Sequence, residues 1–163
     1  FSILIERLTR NPLYLRDIGI TNDKVLSELV WKNKFMELFF VVFYAANSLM
    51  KMEFWKKNLT IYQASRSYEK LIKKYMGLEV PGEYWMLHHI LPESIMYVPS
   101  YMIAAIRAAE LERYLTNRFG EKWWNEPTAG KKVREIMSKG ERINLKEFSK
   151  LDPNIFMKEI GSR

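Results

Sequence analysis

The sequence predicts an all-α protein, and three observations support this class. Apolar residues recur at helical spacing along most of the 163 residues. Gly, Asn and Pro stand where the periodic segments begin and end. No segment alternates polar and apolar residues for long enough to predict a strand. With 48% hydrophobic and 14% aromatic residues, the chain is expected to fold throughout, as a single all-helical unit over residues 1–163.

The first third of the chain predicts two short helices and one long helix. The opening helix ends before a turn at Asn11-Pro12, and a short helix then stops at Gly19. Thr21 or Asn22 is a candidate cap for a long helix over about Asp23–Lys57. Because that segment is so long, we expect a bend or a break in it.

The middle of the chain predicts two further helices. One has a tyrosine, leucine and isoleucine face and ends at Gly77, with Pro81 beyond it. The next is long, over about Tyr97–Arg118, with Pro99 in its first turn and Gly120 after its end. Each of these helices is therefore bounded by residues that favour a helix end.

The last segments predict shorter helices. The stretch "TAGKKVREIMSKG" has helical spacing, and Asn144 to Glu147 has the spacing of a capping box. Asp152 followed by Pro153 is typical of a cap and a first-turn proline.

Composition limits the function classes. The net charge is +7, but the lysines and arginines alternate with acids, as in "YEKLIKKYMGLE", which is typical of solvated helix faces. We therefore predict no nucleic-acid partner. The absence of cysteine excludes disulfides and thiolate metal sites, and it is compatible with the reducing cytoplasm, where we place the protein.

The run Leu38–Met50 is the most apolar in the chain, with thirteen residues and no charge. A helix needs about 20 such residues to cross a bilayer, so the run predicts a buried core helix and no membrane partner. A peripheral membrane protein would instead need this run to be exposed. The first residue is Phe1, with no targeting segment before the fold, which favours a chain whose beginning is missing.

The two histidines of the chain, His88 and His89, are adjacent and precede Tyr97 and Tyr101. Neighbouring side chains on a helix diverge by about 100°, so the two imidazoles do not readily bind one metal ion. The tyrosines are four residues apart and would share a helix face. Phenol and imidazole donors stabilise the oxyanion of acyl transfer. The alternative interpretation is structural: the histidines are polar residues of a loop, and the tyrosines are aromatic residues of the core.

The order of several segments resembles the C-terminal half of the catalytic domain of the gluzincin zinc metallopeptidases, the group of angiotensin-converting enzyme, thimet oligopeptidase and oligoendopeptidase F. The matching segments are "NPLYLRDIGI", "ELFFVVFYAANSLMKMEFWKKN", "SYEKLIKKYMGLEVPG", the stretch from the histidines to the tyrosines, and "YLTNRFGEKWWNEPTAGKKVREIMSKG" followed by "LKEFSKL". The resemblance covers nearly the whole chain and rests on the order of the segments.

This resemblance implies a peptidase that hydrolyses a peptide substrate with zinc-activated water. The metal-binding HExxH motif and a further glutamate ligand would lie upstream of Phe1, in the N-terminal remainder of the same protein. By the same likeness, His89 contacts the substrate and acts in catalysis with Tyr101, the phenol that stabilises the oxyanion. Tyr97 and His88 are assigned to substrate binding. Alone, this chain is expected to be inactive.

Two positions differ from the pattern of angiotensin-converting enzyme. That pattern spaces the tyrosines three apart, whereas here Ser100 occupies the nearer position. It also has a lysine for the substrate carboxylate where this chain has Leu87, which favours endopeptidase-like cleavage over the release of C-terminal dipeptides. A helical interaction module that lost the zinc site is the alternative function. A HExxH motif in the upstream sequence would support the enzyme, and its absence would support the interaction module.

Overall fold

The structure, a computed structural model, describes residues 1–87, 97–140 and 150–161. Its helices are α1 (Ser2–Leu8), α2 (Pro12–Asp17), α3 (Asp23–Lys57), α4 (Ile61–Met76), α5 (Val98–Phe119), α6 (Pro127–Ser138) and α7 (Pro153–Gly161), with 3₁₀ helices at Gly82–Leu87 and Trp123–Asn125. These residues contain no strand, and the predicted all-α class is confirmed.

The chain divides into two compact units. Unit 1 comprises Phe1–Phe35 and Ala104–Arg163, and unit 2 comprises Met36–Ile103. Each unit has an apolar core of its own. That the whole chain folds as one unit stays a prediction.

Local chemistry at the helix ends follows the predictions. The Asn22 side chain accepts hydrogen bonds from the backbone N–H groups of Lys24 and Val25 at 3.0 and 3.1 Å, so Asn22 is the cap of α3. Gly77 ends α4 with a φ of 69°, in the left-handed region that suits glycine. Asp152 accepts from the backbone N–H of Asn154 at 3.0 Å at the start of α7. The predicted capping box at Asn144 to Glu147 lies outside the described residues.

The long third helix was expected to bend or to break, and it has no break. α3 is a continuous helix of 35 residues, with the bounds that the sequence predicts. Its sequence contains neither Pro nor Gly, the residues at which helices most often break.

The core of unit 1 is formed by three α-helices and the second 3₁₀ helix. Its buried residues come from α1, α5, α6 and the second 3₁₀ helix: Leu4, Leu8, Ala108, Leu115, Trp123 and Ala129. Beside them lies a buried cation, Arg7, whose Nε donates to Glu112 at 2.6 Å and whose guanidinium also contacts Glu159. Since these three residues lie on α1, α5 and α7, the ion pairs connect the three helices.

The core of unit 2 is formed by α3, α4 and the first 3₁₀ helix. Its buried members are Ala46, Met50, Ala64, Tyr68, Ile72 and Trp85. The indole Nε1 of Trp85 donates to the Ser65 hydroxyl at 3.2 Å. A Cβ built on Gly82 would lie 2.7 Å from the Ser65 carbonyl oxygen, so only glycine permits this approach to α4.

The apolar run of α3 is buried on one face only. Ala46 and Met50 are in the core, whereas Leu38, Phe40 and Leu49 are 38%, 43% and 44% exposed. The expectation of a buried helix therefore holds for one side of it. By length and composition, α3 is also apolar enough to cross a bilayer, a test that the core helix of a soluble protein passes too.

Candidate active site

The two predicted tyrosines lie together in unit 2. Tyr97 directly precedes α5 and Tyr101 lies in the first turn of that helix. Their ring centroids are 5.3 Å apart and the rings are nearly perpendicular, at 86°. Tyr97 is half exposed and Tyr101 is partly buried. The structure therefore brings these two predicted site residues into contact, even though only one of them is helical.

The start of α5 fixes the backbone of Tyr97. The backbone N–H of Ser100 donates to the Tyr97 carbonyl at 2.9 Å, and the Ser100 hydroxyl donates to the same oxygen at 2.5 Å. Ser100 lies three residues after Tyr97, but its hydroxyl already donates to the backbone and is not available to a substrate. The phenol that lies near Tyr97 is that of Tyr101, four residues after it.

A third tyrosine, which the sequence analysis did not select, completes the cluster. The ring of Tyr44 on α3 is stacked on that of Tyr101, with centroids 4.7 Å apart and an interplanar angle of 11°. We call Tyr44, Tyr97 and Tyr101 the tyrosine cluster. Tyr44 lies inside an apolar helical run, where an aromatic residue gives no signal of a site.

The surroundings of Tyr101 favour its protonated form. Burial raises the pKa of its phenol, and the neighbouring Tyr97 and Tyr44 raise the pKa further. A hydrogen bond with the Tyr97 side chain acts in the same direction. Because a donor to an oxyanion must carry its proton, this environment suits Tyr101 for that role.

His88 and His89 lie outside the described residues, so their predicted roles stay predictions. The 3₁₀ helix that leads toward them is anchored by Trp85, which is 4% exposed. Its last residue, Leu87, is 72% exposed. An apolar side chain therefore lies at the surface at this position.

The described residues do not supply a zinc site. Among residues 1–87, 97–140 and 150–161, no group of three or more His, Cys, Asp or Glu side chains is placed to hold a metal ion. Zinc prefers three or four such ligands.

Comparison with protein families, with curated proteins and with solved structures finds no match to this chain.

Proposed function

We propose that this chain forms the substrate-binding wall of a zinc-dependent peptidase, with the metal ligands in another part of the same protein. The observation that carries the proposal is the contact between Tyr97 and Tyr101. It supports the roles that the gluzincin-like segment order implies for the two phenols. The proposal includes a peptide as the substrate, zinc as the cofactor and the N-terminal remainder of the same protein as the partner that holds the metal.

The chemistry assigned to this chain is electrostatic. When water adds to the carbonyl carbon of a peptide bond, negative charge develops on the carbonyl oxygen. The Tyr101 phenol donates a hydrogen bond to that oxygen and stabilises the transition state. Tyr97, which is 51% exposed, contacts the bound peptide. The resemblance assigns His89 to catalysis and His88 to substrate binding, and both residues lie outside the described part of the chain.

A peptidase assay tests the proposal. The complete protein that contains this chain should cleave fluorogenic peptides, and a zinc chelator should abolish the cleavage. The 163-residue chain alone, measured in parallel, should be inactive. Absence of chelator-sensitive cleavage by the folded, zinc-loaded complete protein would overturn the proposal.

The same assay addresses the type of cleavage. Because Leu87 offers no charge to a substrate carboxylate, we propose endopeptidase-like activity. Amidation of the C-terminus of a test peptide should then leave the cleavage rate nearly unchanged. A large loss of rate on amidation would instead indicate a carboxylate-binding group elsewhere in the site.

The second candidate is a helical interaction module without catalytic activity. It is favoured by the large apolar side chains that unit 2 exposes along α3, among them Leu49, Met52 and Trp55, which are 44%, 40% and 49% exposed. Such a surface is typical of partner binding. The upstream sequence distinguishes the peptidase from the interaction module, since the module would lack the HExxH motif and a later helical glutamate.

A further inference from the structure

The Tyr101 ring is held from two sides within unit 2. Tyr44 lies against its face at 4.7 Å between centroids, and Tyr97 meets it edge-on at 5.3 Å. Offset stacking and edge-to-face contact are the two favoured geometries of aromatic pairs. The Tyr101 ring therefore contacts two aromatic rings that lie outside its own helix.

Tyr44 is itself supported by aromatic neighbours on α3. Phe40 stacks on it with centroids 6.0 Å apart and an interplanar angle of 19°. Phe43 contacts it at 5.7 Å and 61°. Tyr44 thus lies in a row of aromatic rings on α3 and presents its own ring to Tyr101.

We propose that Tyr44 is a positioning residue, whose stacked ring holds the Tyr101 side chain in the orientation in which its phenol reaches Tyr97 and the site for a carbonyl oxygen. The catalytic consequence of this inference rests on the proposed peptidase function. The positioning itself does not, because it concerns the contacts of three side chains.

The physical reason is the strict geometry of oxyanion stabilisation. A donor acts only when it lies within hydrogen-bond distance of the developing charge, and a displacement of about 1 Å lowers a rate by as much as 10²-fold. A tyrosine at the start of a helix can adopt more than one rotamer. Stacking on Tyr44 selects one of them.

Three substitutions of Tyr44 test the effects of its hydroxyl, its aromatic ring and its volume one at a time. Tyr44→Phe keeps the ring, Tyr44→Leu fills part of the space without a ring, and Tyr44→Ala removes both. Tyr75→Ala is the matched control, since Tyr75 is a 47% exposed tyrosine on α4 of the same unit. Circular dichroism selects the variants that retain the helical fold.

The experiment is an NMR measurement on this chain labelled with ¹³C at the tyrosine Cζ. Tyr101→Phe assigns the Tyr101 resonance, and its Cζ shift and its ring contacts with Tyr97 are then followed. In Tyr44→Leu and Tyr44→Ala the shift should move toward that of an exposed phenol and the Tyr97 contacts should be lost. Tyr44→Phe and the control should retain both. Unchanged Tyr101 signals in folded Tyr44→Leu would overturn the inference.

A kinetic measurement on the complete protein separates this inference from the proposed function. If the positioning role and the proposed function both hold, Tyr44→Leu should lower kcat by about tenfold to a hundredfold with little change in KM. Tyr44→Phe should retain most of the wild-type kcat. A shifted Tyr101 resonance in a complete protein without peptidase activity would contradict the proposed function alone. A normal kcat in Tyr44→Leu of an active complete protein would contradict the catalytic consequence of the positioning.

Discussion

Arg7 is a charged residue that is only 3% exposed, and its partners explain how a cation is accommodated there. Glu112 and Glu159 contact it in ion pairs, and its guanidinium lies 5.9 Å from the ring centroid of Phe156. Arg10 shares the same two carboxylates at 3.5 and 3.4 Å. Burial, followed by the neighbouring Arg7, lowers the pKa of Arg10 to about 10. The cluster is therefore sensitive to the loss of any one charge.

Removal of Arg7 should destabilise unit 1 strongly. Arg7→Met leaves Glu112 and Glu159 with Arg10 but without Arg7, and a buried group that loses a charged partner costs about 1–3 kcal/mol or more. Urea unfolding measures the change. The control is Arg16→Met, because the Arg16–Asp23 pair has side chains that are 49% and 83% exposed. The control should cost no more than about 1 kcal/mol. Equal losses in the two variants would contradict the structural role of Arg7.

Asp17 predicts a pH dependence of stability. Its carboxylate accepts hydrogen bonds from Lys122 at 2.6 Å, Trp124 at 3.1 Å and Asn125 at 3.0 Å. These bonds, that of Lys122 first, lower its pKa below the ordinary 3.8. Since the folded pKa is depressed, the stabilisation is present above pH 3.8 and is lost as the pH falls through the lower, folded pKa.

The measurement for Asp17 compares unfolding of the wild type and Asp17→Asn across acidic pH. The wild type should be the more stable protein above the ordinary pKa, and the difference should shrink as the pH falls below it. A difference that stays constant down to about pH 2 would show that the three bonds do not depend on the charge of the carboxylate.

At the scale of single elements, the first 3₁₀ helix depends on one glycine. In Gly82→Ala the new Cβ would meet the Ser65 carbonyl oxygen at 2.7 Å and its Cβ at 2.9 Å. The 3₁₀ helix must then move away from α4, which weakens the hydrogen bond from Trp85 to Ser65. We expect a loss of about 1–3 kcal/mol in the free energy of unfolding, as is usual for overpacking.

Gly130→Ala is the control for this prediction. Gly130 lies in α6, where the nearest atom to a new Cβ is the flexible end of Arg134 at 3.8 Å. Replacement of a helical glycine by alanine usually stabilises by about 0.5–1 kcal/mol. Thermal unfolding of both variants gives the comparison, and a neutral Gly82→Ala would contradict the close packing of the 3₁₀ helix on α4.

Helix ends were predictable because their causes are local. Asn22, Gly77 and Asp152 act on backbone groups within a few residues, so their sequence neighbourhood contains the whole interaction. The contact of Tyr44 with Tyr101 joins two helices that are distant in sequence, and no periodicity encodes it. For the same reason, the contacts of Arg7 with α5 and α7 were not predicted.

At the scale of the whole molecule, the chain is expected to hold no zinc by itself. It has two histidines, which are adjacent, and no cysteine, so a site of three ligands would need carboxylates to converge on them. Metal analysis of the purified chain after dialysis against zinc tests this expectation. One tightly held zinc ion per chain would contradict it and would assign the histidines to a metal site.

The proposed function as a whole depends on the Tyr101 hydroxyl, because the proposal assigns the stabilisation of the oxyanion to that group. Tyr97→Phe should act mainly on KM, since Tyr97 is assigned to substrate contact, whereas His89→Ala should impair both positioning and turnover. Stability must be measured in each variant, because a buried hydroxyl that loses its partner costs about 1–3 kcal/mol.

The most direct measurement is the kcat of Tyr101→Phe in the complete protein that contains this chain. The substitution keeps the ring stacked on Tyr44 and removes only the donor. The predicted result is a fall in kcat of roughly 10²–10³ with little change in KM. A wild-type kcat in the folded variant would contradict the proposal and leave Tyr101 as a packing residue at the start of α5.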